Sequence, residues 1–94
     1  MANTLNIHSS KALLDRLRDE VESVIVADQV EGIKKSKAYH RSAEEAGDAM
    51  HQALTLKYIA FCFFHTREFE KAIEKCKEAL EVVGDNFELK NSLL

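Results

Sequence analysis

An all-α fold, a four- to five-helix antiparallel helical bundle, is what this sequence predicts, and three observations predict it. The 94 residues include no proline and only three glycines, so the residues that punctuate β-rich chains are scarce. Apolar residues recur at three- and four-residue steps through most of the chain, the spacing of one helix face. A content of 46% hydrophobic and 31% charged residues suits helices with one buried and one wet side, in one domain spanning 1–94.

The first ten residues, MANTLNIHSS, are polar, with Leu5 and Ile7 as the available anchors, and are given no role. Ser10 is the expected N-cap of a first helix ending near Ala27, whose apolar stripe is Leu13, Leu14, Leu17, Val21, Val24 and Ile25. Its other face carries Lys11, Asp15, Arg18, Asp19 and Glu22, with pairing across a turn expected between Lys11 and Asp15 and between Asp15 and Arg18. Asp28 caps a second helix starting near Gln29 or Val30, with a thinner stripe of Val30, Ile33, Ala38, Ala43 and Ala46 and one large ring, Tyr39. Gly47 and Asp48 then read as a helix stop and an N-cap back to back. The N-terminal helical pair therefore covers 10–46.

A third helix is expected from Ala49 to Thr66 and a fourth from Glu68 to Val83. The fourth places Phe69, Ala72, Ile73, Cys76, Ala79, Leu80 and Val83 on one side and Glu70, Lys71, Glu74, Lys77, Glu78 and Glu81 on the other. Gly84 ends it. Residues 87–94 are long enough for a short capping helix or tail, in which Phe87, Leu89 and Leu93 would close the open side of the hairpin.

Net charge is −3, from 13 Lys and Arg against 16 Asp and Glu, so no general positive excess exists to hold a phosphate backbone, and no nucleic-acid partner is expected. The longest apolar run, Tyr58 to Phe64, falls far short of the roughly 20 residues that span a bilayer as a helix, so no membrane association is expected. The N-terminus lacks the basic and apolar halves of a secretory signal, and Cys62 and Cys76 form no CxxC pair. Reduced core thiols and a cytoplasmic location follow as expectations.

The stretch Ala53–Asn86 carries a sequence resemblance. Leu56, Ile59-Ala60 and Phe63 on the third helix, Arg67-Glu68-Phe69 at the turn, and Ala72, Cys76 and Ala79-Leu80 on the fourth follow the order of small, aromatic and aliphatic residues in one tetratricopeptide repeat. Residues 49–86 thus look like a tetratricopeptide-like hairpin. The pattern departs from the family at Arg67, where a turn glycine is usual, at Gly84, where a proline is usual, and at Leu56, where a tryptophan is usual. One repeat length earlier, Ala38 falls in register with Ala72, but Glu22 falls opposite Leu56, so no regular earlier repeat is visible. In packing terms Ala60 and Ala72 allow close approach of the two helices, while Phe63, Phe69 and Leu80 are expected to fill the space around the crossing.

What the resemblance implies is a protein or peptide partner held on the face of the third helix. The residues expected there are Leu54, Lys57, Phe61, Phe64 and His65, an apolar surface with a basic rim suited to a partner helix. In the subgroup of the family that clamps chaperone carboxylates a Lys is followed one turn later by an Asn; Lys57 matches but Phe61 does not, so that clamp is not expected. The function expected is a protein-protein interaction module. Its alternatives are a small chaperone or assembly subunit, such as those of secretion systems, and a homodimer in which each chain covers the other's face. The competing expectation for Phe61 and Phe64 is cover by the first or second helix of the same chain.

Other constellations are weaker. Glu44, Asp48 and His51 share a spacing used by carboxylate-histidine metal sites, but only one incomplete copy exists, so no metal or other cofactor is expected and these residues read as solvated surface groups. His8, His40 and His65 read as surface or boundary histidines. Lys34, Lys37 and Arg41 form a basic line read as a solvated face. No phosphate-binding glycine loop or nucleophile elbow occurs, and no catalytic activity is expected.

Overall fold

The structure, a computed structural model, describes residues 2–84, with side chains from Lys11 onward. It contains four helices and, among the described residues, no strand: α1 (Ala2–Val24), α2 (Gln29–Ala46), α3 (Ala49–His65) and α4 (Phe69–Val83). Short connections fold each helix back against its predecessor. The capping segment expected at 87–94 lies outside the described residues.

Helix α1 begins at Ala2, not at Ser10. Neither Gly nor Pro interrupts residues 2–10, and each residue added to an existing helix gains a hydrogen bond for little extra ordering, so the helix propagates past the expected cap. The other boundaries follow local chemistry. The Asp28 carboxylate accepts from the Glu31 amide at 3.0 Å, and the Asp48 carboxylate accepts from the His51 amide at 3.0 Å, each satisfying a first-turn donor. Glu68 precedes α4 without a side-chain cap bond.

Helices α2 and α3 end in the same way. Asp48 donates its amide to the Ala43 carbonyl and Gly47 to Glu44; Glu68 donates to Phe63 and Arg67 to Phe64. Both are Schellman closures with a left-handed residue just past the helix. That residue is Gly47 in one and Arg67 in the other, each at φ 65°.

The core is divided. Leu14 and Val21 of α1 with Ile25 just past its end, Tyr39 and Ala43 of α2 and Cys62 of α3 form one cluster, supported by Leu17, Ile33, Tyr58 and Phe61. Ala53 and Leu56 of α3 with Ala79 and Val83 of α4 form a second. Helix α3 is shared by both, while α4 touches neither α1 nor α2. The principal extents of 47 × 31 × 17 Å describe the resulting thin stack.

The inner face of α2 differs from the sequence expectation. Gly32, Ser36, Tyr39 and Ala43 are buried, whereas Val30 is 78% exposed and Ala38 and Ala46 are exposed too. Helix α2 lies between α1 and α3, and close approach selects small side chains over apolar ones there. A Cβ on Gly32 would sit 3.2 Å from Cys62 Sγ and from Ile25. The exposed side of α4 differs as well. Ala72, Ala79 and Val83 face inward, but Phe69 and Leu80 do not fill the crossing with α3; they are about half exposed. Cys62 is buried and Cys76 is exposed, so only the first is a core thiol. Burial pushes the Cys62 thiol pKa up.

Candidate functional site

Small residues at the α3–α4 contact bring the two backbones close, and the larger apolar residues beside them are left at the edges of that contact. Ala60 and Ala72 are buried at the seam. On the outer side of the seam the helices form a groove of about 600 Å³ lined by Lys57, Ala60, Phe61 and Phe64 of α3 and Phe69, Ala72, Ile73, Cys76, Lys77 and Leu80 of α4. Four of its large apolar side chains are about half accessible: Phe64 58%, Phe69 50%, Ile73 54% and Leu80 47%. At the turn end, the Phe64 and Phe69 rings meet edge to face with centroids 5.5 Å apart, an arrangement favoured by the ring quadrupoles.

Of the five residues singled out from sequence, Lys57, Phe61 and Phe64 line this groove. Phe61 is half-buried and also packs against the α1–α2–α3 cluster, so the cover expected from the N-terminal helices reaches Phe61 and not Phe64. Leu54 is half-buried and does not line the groove; His65 stacks on Phe61 with centroids 4.2 Å apart, also off the groove. The α4 wall was missed because Phe69, Ile73, Cys76 and Leu80 share a broad apolar side with Ala72, Ala79 and Val83. The signal was its width. Seven apolar positions on one short helix exceed what a single neighbour covers, and Phe69, Ile73 and Leu80 follow steps of four and seven on their own line.

The polar residues serve the stack itself. Glu44, Asp48 and His51 are dispersed among separate contacts: Glu44 lies 3.4 Å from His40, Asp48 caps α3, and the His51 ring is buried, 3% exposed. His51 is therefore an interior group, not a solvated one, because α3 turns it against Tyr39 and α1. The Tyr39 hydroxyl and His51 Nδ1 share a hydrogen bond, and His51 Nε2 lies 3.7 Å from Asp15 Oδ1. One chain of polar groups thus links α1, α2 and α3. Tyr58 adds a second tie, donating to Glu22 Oε2 at 2.6 Å. Desolvation holds both tyrosine pKa values well above the ordinary range, with the bond to Glu22 reinforcing the effect at Tyr58.

Helices α2 and α4 are separated by a polar cleft of about 560 Å³, floored by Leu56 and Ile59. Lys37, His40 and Arg41 lie on its α2 side with Glu44, and Lys75, Glu78 and Glu81 on its α4 side. The mixed charge there contrasts with the groove, whose lining has no acidic side chain among the described residues. Among the described residues, no group of three or more His, Cys, Asp and Glu side chains is gathered to hold a metal ion. No helix among them is long and apolar enough to cross a membrane.

No protein-family model matches the chain, and neither does any curated protein or solved structure.

Proposed function

We propose that this chain is a protein-interaction module that receives an apolar helix or peptide of a partner in the α3–α4 groove. The observation that carries the reading is the contiguity of Phe64, Phe69, Ile73 and Leu80 on one concave surface. Scattered exposed apolar residues are ordinary, but a continuous apolar patch in a groove marks a contact surface. The order of residues that resembles a tetratricopeptide repeat agrees with this reading, since such hairpins hold partner chains.

The exposures bound the strength of the contact. Full burial of a large apolar side chain contributes about 1.5–3 kcal/mol, and roughly half of it is still available at each of the four positions, so covering them contributes about 3–6 kcal/mol. Association itself costs about 4 kcal/mol or more. With an equal contribution from the partner's own buried side chains the net is about 2–8 kcal/mol, which bounds the complex at roughly micromolar strength or weaker.

Cys76 supplies a reporter within the groove, because its thiol is exposed while Cys62 is buried. A helix-forming peptide of about 18 residues with one leucine and phenylalanine stripe is expected to slow maleimide labelling of Cys76. The Phe64→Glu and Ile73→Glu variants, altered at exposed positions, are expected to fold and to lose that protection. Protection that is absent in the parent chain, or unchanged in both variants, refutes the reading.

A further inference from the structure

Among the described residues, the charged groups lining the groove are both cations, one on each helix: Lys57 and Lys77. Each lies ten residues from Arg67 in the turn. At 1.5 Å per residue both stand about 15 Å from the turn, on opposite walls at the same level. The turn end is aromatic, closed by Phe64 against Phe69. The groove is therefore polar in the directional sense, with an apolar anchor at one end and a pair of cations toward the other.

The stack also contains a seat already filled. Helix α3 lies on the α1–α2 pair by burying Cys62 and half-burying Tyr58 and Phe61 in the first cluster. Its seam is flanked by polar ties: Tyr58 to Glu22, His51 to Asp15, and His40 Nδ1 to Thr55 Oγ1 at 2.6 Å. A helix on the α3–α4 pair would occupy the corresponding place one step further along. There the charged groups that line the groove among the described residues are two ammonium ions.

Resting on the reading of the groove as a docking site, we infer that its occupant is a partner's acidic amphipathic helix. A large apolar residue of that helix sits at the Phe64–Phe69 end, and carboxylates flank its apolar stripe about two turns away, level with Lys57 and Lys77. Ammonium groups opposite carboxylates attract at the rim and repel a basic helix, so the lysines select the partner while the apolar floor supplies most of the hold.

The test uses the full chain and two synthetic helical peptides with the same apolar stripe, one flanked by glutamates and one by lysines, each read by fluorescence anisotropy. The glutamate peptide is expected to bind about tenfold more tightly at low ionic strength, with the gap narrowing at about 1 M salt. The Lys57→Glu and Lys77→Glu double variant should reverse the preference, and circular dichroism checks that it folds. Equal binding of both peptides, lost on Phe64→Glu, overturns the charge assignment and leaves the docking reading standing. Binding of neither peptide overturns both. A dimer in light scattering that Phe64→Glu dissociates assigns the groove to a second copy and overturns the inference. Glutamate-peptide binding that appears only in a Phe87→Glu variant assigns it to the chain's own last residues and overturns the inference equally.

Discussion

Replacing Arg67 by glycine is expected to stabilise the protein, and replacing Gly47 by alanine to destabilise it, because the two positions hold the same backbone conformation with opposite suitability. Both have φ 65°, and both follow a helix closed by the same pair of amide bonds. For a residue with a Cβ the left-handed conformation costs about 1–2 kcal/mol. Glycine removes that cost but loses about 0.5–1 kcal/mol through the greater freedom of the unfolded chain. The difference is a gain of about 0.5–1 kcal/mol for Arg67→Gly and a loss of the same order for Gly47→Ala. Neither value needs correction for lost contacts. A Cβ at Gly47 meets nothing within 4 Å, and Arg67 makes no ion pair or side-chain hydrogen bond among the described residues. In thermal melts followed by circular dichroism, shifts of roughly 2–8 °C in opposite directions are expected for a domain this small. Urea titrations should show unchanged m-values, since the surface exposed on unfolding is the same. If Arg67→Gly lowers the melting temperature, the closure of α3 is not limited by backbone strain, and the reasoning fails. Peptide binding in the groove should survive Arg67→Gly, because the turn keeps its geometry and Phe64 still meets Phe69.

Two further outcomes follow from the interior. The buried Ser36 hydroxyl has no hydrogen-bond partner among the described residues, so Ser36→Ala removes an unsatisfied group and improves helix propensity, raising stability by about 1 kcal/mol in urea titrations; a loss of stability would place a partner at that oxygen. The raised pKa values of Tyr39 and Tyr58 mean that the folded chain keeps both protons where the unfolded chain releases them. Their stabilisation is complete below about pH 10 and is lost as pH rises above it, by up to about 1.4 kcal/mol per pH unit for each tyrosine. Tyrosinate absorbance should therefore appear together with the loss of helical signal, and ionisation of both rings in the folded chain well before unfolding would contradict the burial described.

The order and kind of the helices were legible in the sequence, because they depend on local chemistry. Asp28, Asp48 and Gly47 act on amides and carbonyls within a few residues, so the start of α2 and the break between α2 and α3 can be read without knowing the fold. The stripe of α1 was legible for the same reason, as one helix facing one partner. The start of α1 was not, since a polar segment without Gly or Pro carries no stop signal.

The faces of α2 and α4 were decided by the stack. Where a helix lies between two others, the distance of approach determines which residues are interior; Gly32 and Ser36 are buried and Val30 is not, against their hydrophobicity. Where a helix has one neighbour and a wide apolar side, the crossing position divides that side into seam and groove. Ala72, Ala79 and Val83 went to the seam, and Phe69, Ile73 and Leu80 to the groove. His51 likewise became interior only because Tyr39 and Asp15 reach it from other helices. The amino-acid sequence by itself determined the four helices of the described residues and where most of their ends fall, since those are short-range balances of hydrogen bonding and backbone freedom. Which apolar residues remain open was decided only in the tertiary structure, because burial depends on which helix lies alongside and how closely it comes.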